Sequence, residues 1–423
     1  MAEIRGFGVD YNETKLVNGV KLYSFYKPNS PIYFRAFFYA GSQFDGDKPG
    51  LAHFCEHILL SGTEKYPIKE SLNEKVEEIG ARKNAFTNKK YLWLTVDLAD
   101  KADTTEMFDI VDQILNKSIF SPDTIEMERK AVQAEQTRTA SNPSRCIYEL
   151  QSSLLFQGTN MENPVLGSDN SLTSISRQDL LNFNEKYIKN GQVAYFISGD
   201  FDKKTVINFL NKINGSRIKI DDKVIEILTN TKQKQKIKEI PGTEQNYISL
   251  STRFEPMLIK NDQVAVDIFN VIFGQNNTSR LITSLRNKKG LVYDAWSEIY
   301  ANAEFATLSI ITNCRVANSK DVISIIKQEF SKILETGIYT QELDRAKKSI
   351  LRNIKFWAES SSFWLSSYAM MEQTSYSNPV LHHEYSDILE SLTLEDVNSF
   401  IKKYFTGKEL LLTGIGDFNF LNK

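Results

Sequence analysis

An internal repeat limits the folds that are open to this chain. Residues 173–201, TSISRQDLLNFNEKYIKNGQVAYFISGDF, align without a gap with residues 390–418, ESLTLEDVNSFIKKYFTGKELLLTGIGDF, at an offset of 217 (390 − 173). Each copy reads as a helix, a short loop and an apolar strand that ends in Gly-Asp-Phe. A unit of about 200 residues is too long for a solenoid repeat. The sequence therefore predicts two copies of one domain in tandem.

We expect an α+β fold, in which each domain is a mainly antiparallel sheet packed with helices. The predicted boundaries are residues 1–213 for the first domain, 214–240 for a Lys- and Thr-rich linker, and 241–423 for the second domain. Apolar and aromatic runs predict strands over 20–25 and 33–40, and one long strand over 84–98. Helical periodicity predicts helices over 50–60, 67–79 and 103–118, and another from Pro122 onward.

Composition narrows the class of protein. The formal net charge of the 423 residues is −2, which gives no electrostatic reason to expect nucleic acid or an anionic membrane as partner. The three cysteines, Cys55, Cys146 and Cys314, are far apart, which is typical of a reducing compartment. No apolar run has the length of a signal-peptide core or a membrane span. We expect a cytoplasmic protein, with a removed targeting segment as the alternative.

The segment GLAHFCEHILLSGTEKYP, residues 50–67, carries the chemistry. It places His53, Glu56 and His57 in the order H-x-x-E-H, so that the two imidazoles lie one turn apart on one helical face. This is the inverted zinc-peptidase motif. Catalytic zinc takes three protein ligands and keeps a fourth position for water. The motif predicts His53 and His57 as Zn2+ ligands and Glu56 as general base, and a third ligand must come from elsewhere.

A later helical segment, TIEMERKAVQAEQTRTA, offers carboxylates for that third position. Glu128 and Glu135 lie two helical turns apart and therefore face the same way. Spacing alone does not decide whether Glu135 is a metal ligand or a surface charge. Glu126 and the other acids of so polar a helix are typical of solvated surface charges. The second copy has no equivalent motif, because its only histidines are the adjacent His382 and His383.

On these residues the chain resembles the family of zinc metallopeptidases that includes pitrilysin, insulin-degrading enzyme and mitochondrial processing peptidase. The resemblance covers nearly the whole chain and is most specific in residues 50–67. It implies a short two-domain member, half of a clamshell chamber, in which Glu135 is the third zinc ligand. It also implies that Glu128 orients one of the ligands.

The resemblance extends to residues that would bind substrate. Asn84, Ala85 and Phe86 match a strand whose edge pairs with the backbone of the peptide substrate, a mode of recognition that is largely blind to sequence. In the second copy, Arg286 and Tyr293 match a pair that binds substrate near the scissile carbonyl.

The expected function is a zinc metalloendopeptidase that acts on unfolded peptides or small proteins in an enclosed chamber. The alternatives are a non-catalytic scaffold subunit of the same fold, and a dedicated peptide-maturation protease that needs a distinct partner subunit. Because the chain has about half the length of insulin-degrading enzyme, the resemblance implies a second half. We expect a homodimer or, failing that, a homologous partner subunit.

Overall fold

The computed structural model describes residues 2–4, 8–213, 233–374 and 376–422. These residues form two compact units. The first unit comprises the described residues within 1–138, 163–223 and 357–373, and the second comprises those within 139–162, 224–356 and 374–423.

The described residues contain twelve strands, which form two sheets, one in each unit. They are β1 (Ala2–Ile4), β2 (Val9–Lys15), β3 (Lys21–Tyr26), β4 (Ile32–Phe38), β5 (Ala81–Thr87), β6 (Leu92–Leu98), β7 (Val193–Gly199), β8 (Gln235–Glu239), β9 (Gln245–Phe254), β10 (Val292–Ala301), β11 (Ala306–Arg315) and β12 (Leu411–Gly416). The strand order is β1-β2-β3-β7-β4-β6-β5 in the first unit and β10-β11-β9-β12-β8 in the second.

The described α-helices number fourteen. They are α1 (Leu51–Leu59), α2 (Lys69–Glu78), α3 (Thr104–Asn116), α4 (Pro122–Ala140), α5 (Pro143–Leu155), α6 (Asp169–Ser174), α7 (Arg177–Phe183), α8 (Lys203–Ile213), α9 (Lys260–Asn270), α10 (Ser319–Thr336), α11 (Thr340–Trp357), α12 (Ser361–Thr374), α13 (His382–Ser391) and α14 (Leu394–Phe405). Wider helical turns follow over Asn184–Lys189, Val271–Gln275 and Ile282–Asn287. Among the described residues, no helix combines the length and apolar character that a membrane crossing requires.

Five strands have the same arrangement in both sheets. The repeat strands β7 and β12 each pair in parallel with one neighbour, β3 or β8, and antiparallel with the other, β4 or β9. Two further antiparallel pairings lead outward to β5 in the first unit and to β10 in the second. The predicted fold class, two homologous domains with mainly antiparallel sheets and covering helices, is confirmed.

The N-terminus of α1 is fixed by a buried carboxylate. Asp45 accepts hydrogen bonds from the backbone N–H groups of Gly50 (2.7 Å) and Ala52 (2.8 Å), which have no partner within the helix. Gly50 has φ of 97°, and a Cβ atom there would lie 2.9 Å from the carbonyl oxygen of Leu166. The apolar face of α1 is buried in the core of the first unit, so the polar face that carries the H-x-x-E-H residues has a defined orientation.

Two secondary-structure predictions were wrong. Residues 84–98 form the hairpin β5–β6 and not one long strand, because the side chain of Asn88 accepts hydrogen bonds from the N–H groups of Lys90 and Tyr91 and closes a turn. Residues 214–232 of the predicted linker 214–240 lie outside the described residues. Residues 235–239, which were also predicted as linker, form strand β8. This lysine-rich segment forms the outermost strand on one side of the second sheet, where exposed charges are common.

The compact units also differ from the predicted domain boundaries at two helices. Gln151 of α5 donates a hydrogen bond to Ser309 of β11 (2.7 Å), and α5 packs within the second unit. Tyr368 of α12 packs its ring against Tyr11 (4.7 Å between centroids) and Phe25 (4.8 Å) within the first unit. Each helix therefore belongs to the unit whose sheet covers its buried side chains, and the two units interleave in sequence.

Candidate metal centre

Three side chains of the first unit converge into a cluster with metal-binding chemistry. His53 and His57 lie one turn apart on α1, and Glu135 reaches them from α4. One potential ligand atom from each residue lies within 4.8 Å of the other two. The Glu135 Oε2 atom is 3.6 Å from Nε2 of His53 and 3.5 Å from Nε2 of His57. The structure thus brings together the three residues predicted as ligands.

These separations fit a shared cation better than direct hydrogen bonds. Both N···O distances exceed the usual 2.7–3.2 Å of an N–H···O hydrogen bond. Tetrahedral ligand atoms at about 2.0–2.1 Å from zinc stand roughly 3.3 Å apart, which is close to the observed spacing. Two imidazoles and one carboxylate are also a donor set that zinc takes in catalytic sites. The residues present therefore fit a zinc ion.

Glu128 contacts His57 on the side away from Glu135. Its side chain is 2% exposed, and its Oε2 atom is 3.0 Å from Nδ1 of His57. The other oxygen, Oε1, accepts hydrogen bonds from Ser61 Oγ (2.9 Å) and Lys69 Nζ (2.8 Å). With Nδ1–H donated to Glu128, Nε2 of His57 faces the cluster and can bind a cation once it has lost its proton. Sequence reasoning predicted Glu128 beside a ligand and missed Ser61 and Lys69.

The electrostatics of the cluster differ between its two imidazoles. Burial, together with the neighbouring His57, lowers the pKa of His53 to about 4, so His53 is neutral at pH 7. Burial also acts to lower the pKa of His57, but the Glu128 and Glu135 carboxylates outweigh it and raise that pKa to about 9. Burial opposes ionisation of Glu128, yet its hydrogen-bond donors lower its pKa to about 2. A cation that binds at His57 must therefore displace a proton.

Glu56 lies on the same helix and has a different partner. It is 7% exposed, and its Oε2 atom accepts a hydrogen bond from Thr87 Oγ1 at the end of β5 (2.7 Å). Burial raises the pKa of Glu56, and the hydrogen bond from Thr87 opposes that rise. The predicted base is thus separate from the three-ligand cluster, and Thr87 holds its side chain. Thr87 closes the segment Asn84-Ala85-Phe86-Thr87 and was not predicted as a site residue.

The predicted substrate-binding residues of the first unit lie on an outermost strand. Asn84, Ala85 and Phe86 belong to β5, which pairs with β6 on one side and ends the seven-stranded order on the other. Asn84 and Phe86 are exposed, and Ala85 is buried. The ring of Phe86 stacks on Trp93 at 5.4 Å between centroids. Strand addition needs such an edge, and a strand inside the sheet would have excluded it.

Arg286 and Tyr293 meet in the second unit. Tyr293 near the start of β10 is 80% exposed, and the Arg286 guanidinium lies 5.1 Å from the centroid of its ring. This arrangement is a cation–π contact. Both side chains are on the surface of the unit, with polar ends that a ligand can contact.

Comparison with known proteins identifies the family. The model described as Insulinase (Peptidase family M16) matches residues 27–169, and the model described as Peptidase M16 inactive domain matches residues 174–350. The chain belongs to the M16 peptidase family. It is of the short two-domain type, because the two matches lie in tandem and together span most of its length.

Three M16 relatives of the chain are bacterial proteins at low identity. An uncharacterized zinc protease of Streptomyces coelicolor is 24% identical over 306 residues, which cover 70% of this chain and 66% of the relative. An uncharacterized zinc protease of Rickettsia felis is 21% identical over an alignment that covers 94% of this chain and 95% of the relative. The YmxG protein of Bacillus subtilis, also named an uncharacterized zinc protease, is 22% identical, with 84% and 86% covered.

Solved structures show the same fold. A crystal structure of a peptidase M16 inactive domain from Pseudomonas fluorescens superimposes with a TM-score of 0.86 at 19% identity, over 96% of this chain and 98% of the other. A protease from Helicobacter pylori gives a TM-score of 0.80 at 19% identity, over 97% and 99%. The two-domain architecture of this M16 chain is therefore shared by proteins of very different sequence.

Removal of Lys69 tests whether the donors to Glu128 contribute to zinc affinity at the cluster. Lys69→Met takes one charged donor from Glu128, and we expect the zinc dissociation constant to rise about tenfold, as for other groups that orient a ligand. Chelator competition measures it. Lys75→Met on the same helix is the matched control, because Lys75 pairs with Glu78 at the surface (3.2 Å). Equal zinc affinity in both variants would show that Lys69 does not support the centre.

Removal of the Thr87 hydroxyl tests the positioning of Glu56. We expect Thr87→Val to lower kcat/KM for peptide hydrolysis about tenfold, since a hydrogen bond to a charged group is lost. Because that hydrogen bond lowers the pKa of Glu56, its loss raises the pKa, and the base must be deprotonated to act. The acidic limb of the pH profile of kcat/KM should therefore move to higher pH.

Thr104→Val is the control for this variant. Thr104 is buried and, like Thr87, donates a hydrogen bond from Oγ1, here to the carbonyl of Lys101 (2.6 Å) at the start of α3. The pH profile of kcat/KM for Thr104→Val should match that of the unaltered protein. An unchanged acidic limb in Thr87→Val would mean that Thr87 does not set the ionisation of Glu56.

Proposed function

We propose that this M16 chain is a zinc metalloendopeptidase that hydrolyses peptide bonds of unfolded peptides or small proteins. The observation that carries the proposal is the convergence of His53, His57 and Glu135 with Glu56 beside them on α1. A scaffold of the same fold has no need for this set, nor for a buried Glu128 that fixes the tautomer of one ligand. The names of the M16 relatives, zinc proteases, support the same reading.

The ligands would be His53 and His57 through their Nε2 atoms and Glu135 through a carboxylate oxygen. A zinc ion held there would supply Lewis-acid chemistry, polarising the scissile carbonyl and acidifying the attacking water. Glu56 would take the proton of that water and return it to the amine that leaves. Burial raises its pKa, which favours the return of the proton to the amine that leaves.

Substrate binding on β5 would place the peptide for this chemistry. A peptide that pairs with the free edge of β5 is held extended by main-chain hydrogen bonds, whatever its sequence. Thr87 ends β5 and contacts Glu56, so the strand that holds the peptide also reaches the general base. Only an unfolded segment can add to a sheet edge in this way, which is why the proposed substrates are unfolded.

A peptide-library cleavage assay on the purified, zinc-loaded chain tests the proposal. Hydrolysis of many unrelated peptides is the expected result and indicates general degradation. Cleavage confined to one narrow motif would instead favour the dedicated maturation protease. Absence of hydrolysis with zinc bound at a stoichiometric level would contradict the proposal and favour the scaffold function.

We also propose a two-fold homodimer as the working assembly. In the family that the sequence resembles, the Arg/Tyr pair acts from the half opposite the zinc, and this chain carries both sets. Arg286 and Tyr293 of one subunit would then complete the centre of the other, and two-fold symmetry is the commonest closed arrangement.

Mixing two inactive variants tests this assembly. Glu56→Gln and Arg286→Ala are combined under conditions in which subunits exchange. If the site is shared, a mixed dimer has one site with both defects and one with neither, so activity should return. Continued inactivity after proven exchange, or a monomer at micromolar concentration, would contradict the homodimer and favour a different partner subunit.

A further inference from the structure

Lys83 is a half-buried lysine on the face of β5 that carries Thr87. Side chains alternate along a strand, and the flanking residues Arg82 and Asn84 are exposed on the opposite face. Thr87 lies four residues further along and contacts Glu56. The face that bears Lys83 is therefore the face directed at the general base.

The ammonium of Lys83 has no acceptor among the described residues. Across the described ranges, its Nζ atom makes neither a hydrogen bond nor an ion pair. The nearby carboxylate of Glu128 is already engaged by Lys69, Ser61 and His57. Burial and the charge of Lys69 lower the pKa of Lys83 to about 8, against the attraction of Glu128. A charge kept in these surroundings without a partner is unfavourable, and an incoming anion would relieve that cost.

The Nζ atom is open to such an anion. Lys83 is only partly buried, and β5 ends the seven-stranded order, so the side chain lies beside an edge to which a peptide can add. A peptide paired with the free edge of β5 alternates its own side chains, and every second one faces the side of the sheet that bears Lys83. Lys83 lies about 13 Å along the strand from Thr87, so the group it meets is roughly four residues from the scissile bond.

We propose that Lys83 is a specificity-determining residue that binds an anionic group of the peptide substrate, an acidic side chain or a free C-terminal carboxylate. The inference rests on the proposed peptidase function and on strand addition at β5. It turns a largely sequence-blind mode of binding into one with a charge preference at a single position.

Matched peptides test the inference on the zinc-loaded protein. One parent peptide is made with Glu, Gln or Lys at each position around its cleavage site, with either a free or an amidated C-terminus. We expect kcat/KM to favour Glu over Lys about tenfold at one position, as a charge-assisted hydrogen bond would. Lys83→Met should abolish this preference and still cleave the Gln peptides. Lys83→Glu should invert it, and Lys83→Arg should retain it.

Arg82→Met is the matched control, because Arg82 is the neighbouring cation on the opposite, exposed face of β5. It should keep the preference of the unaltered protein. If amidation alone removes the preference, the anion is the C-terminal carboxylate, and if it has no effect, the anion is a side chain. Equal ratios in the unaltered protein and in Lys83→Met would overturn the inference and leave the peptidase intact. Failure of the unaltered protein to cleave any peptide would overturn both.

Discussion

Glu56→Gln is expected to lower kcat for peptide hydrolysis by about 10²- to 10⁴-fold while zinc stays bound. The amide cannot accept the proton of the attacking water, and general-base catalysis contributes an effect of this size. The hydrogen-bond partner of Glu56 is Thr87, and Glu56 is not one of the three cluster residues, so the centre keeps all of its ligands. Glutamine has nearly the same shape and can still accept the hydrogen bond from Thr87. Zinc content by elemental analysis and kcat by peptide assay measure the two halves of this prediction.

Glu64→Gln is the matched control for this variant. It makes the same chemical change at an exposed position of the same sequence segment, eight residues further along (64 − 56), and should leave both quantities unchanged. Loss of zinc from Glu56→Gln would show that Glu56 is a ligand. Full activity with zinc bound would mean that another group is the base.

Glu135→Gln is expected to weaken zinc binding by more than about 100-fold. The change replaces an anionic ligand with a neutral amide, and the effect should exceed the 10- to 100-fold loss that follows removal of a group outside the ligand set. The two imidazoles would remain, but two ligands do not complete a zinc site. Activity should fall with occupancy and recover in part at high zinc concentration.

Glu126→Gln is the control on the same helix. Glu126 pairs with Arg129 at the surface (3.1 Å) and does not enter the cluster. The zinc affinity of Glu126→Gln should therefore equal that of the unaltered chain. Stoichiometric zinc that resists chelators in Glu135→Gln would place the third ligand elsewhere. Dissociation constants measured by chelator competition compare the two variants.

The sequence predicted best what depends on local pattern. The His53 and His57 spacing defines one helical face wherever that helix lies, and the repeat at 173–201 and 390–418 required two related sheets. The helix-then-strand order of each repeat copy is observed as α7 with β7 and as α14 with β12. Glu135 was one of several acids on its helix until the family resemblance singled it out.

What the sequence could not predict depends on contacts between distant residues. Ser61 and Lys69 support Glu128 from 67 and 59 residues away, and Thr87 reaches Glu56 across 31 residues. No periodicity encodes these pairings, because only the packing of α1, α2, α4 and β5 creates them. The predicted domain boundaries were wrong at α5 and α12 for the same reason.

One measurement tests the central claim most directly: zinc content and peptide hydrolysis of the unaltered protein before chelation, after chelation and after addition of zinc. The account predicts about one zinc ion per chain, from the single three-residue cluster found in the described part of the chain. It also predicts that hydrolysis is lost with the metal and restored with it, in proportion to occupancy. Hydrolysis that persists without zinc, or a zinc-loaded protein that cleaves no peptide, would contradict the account.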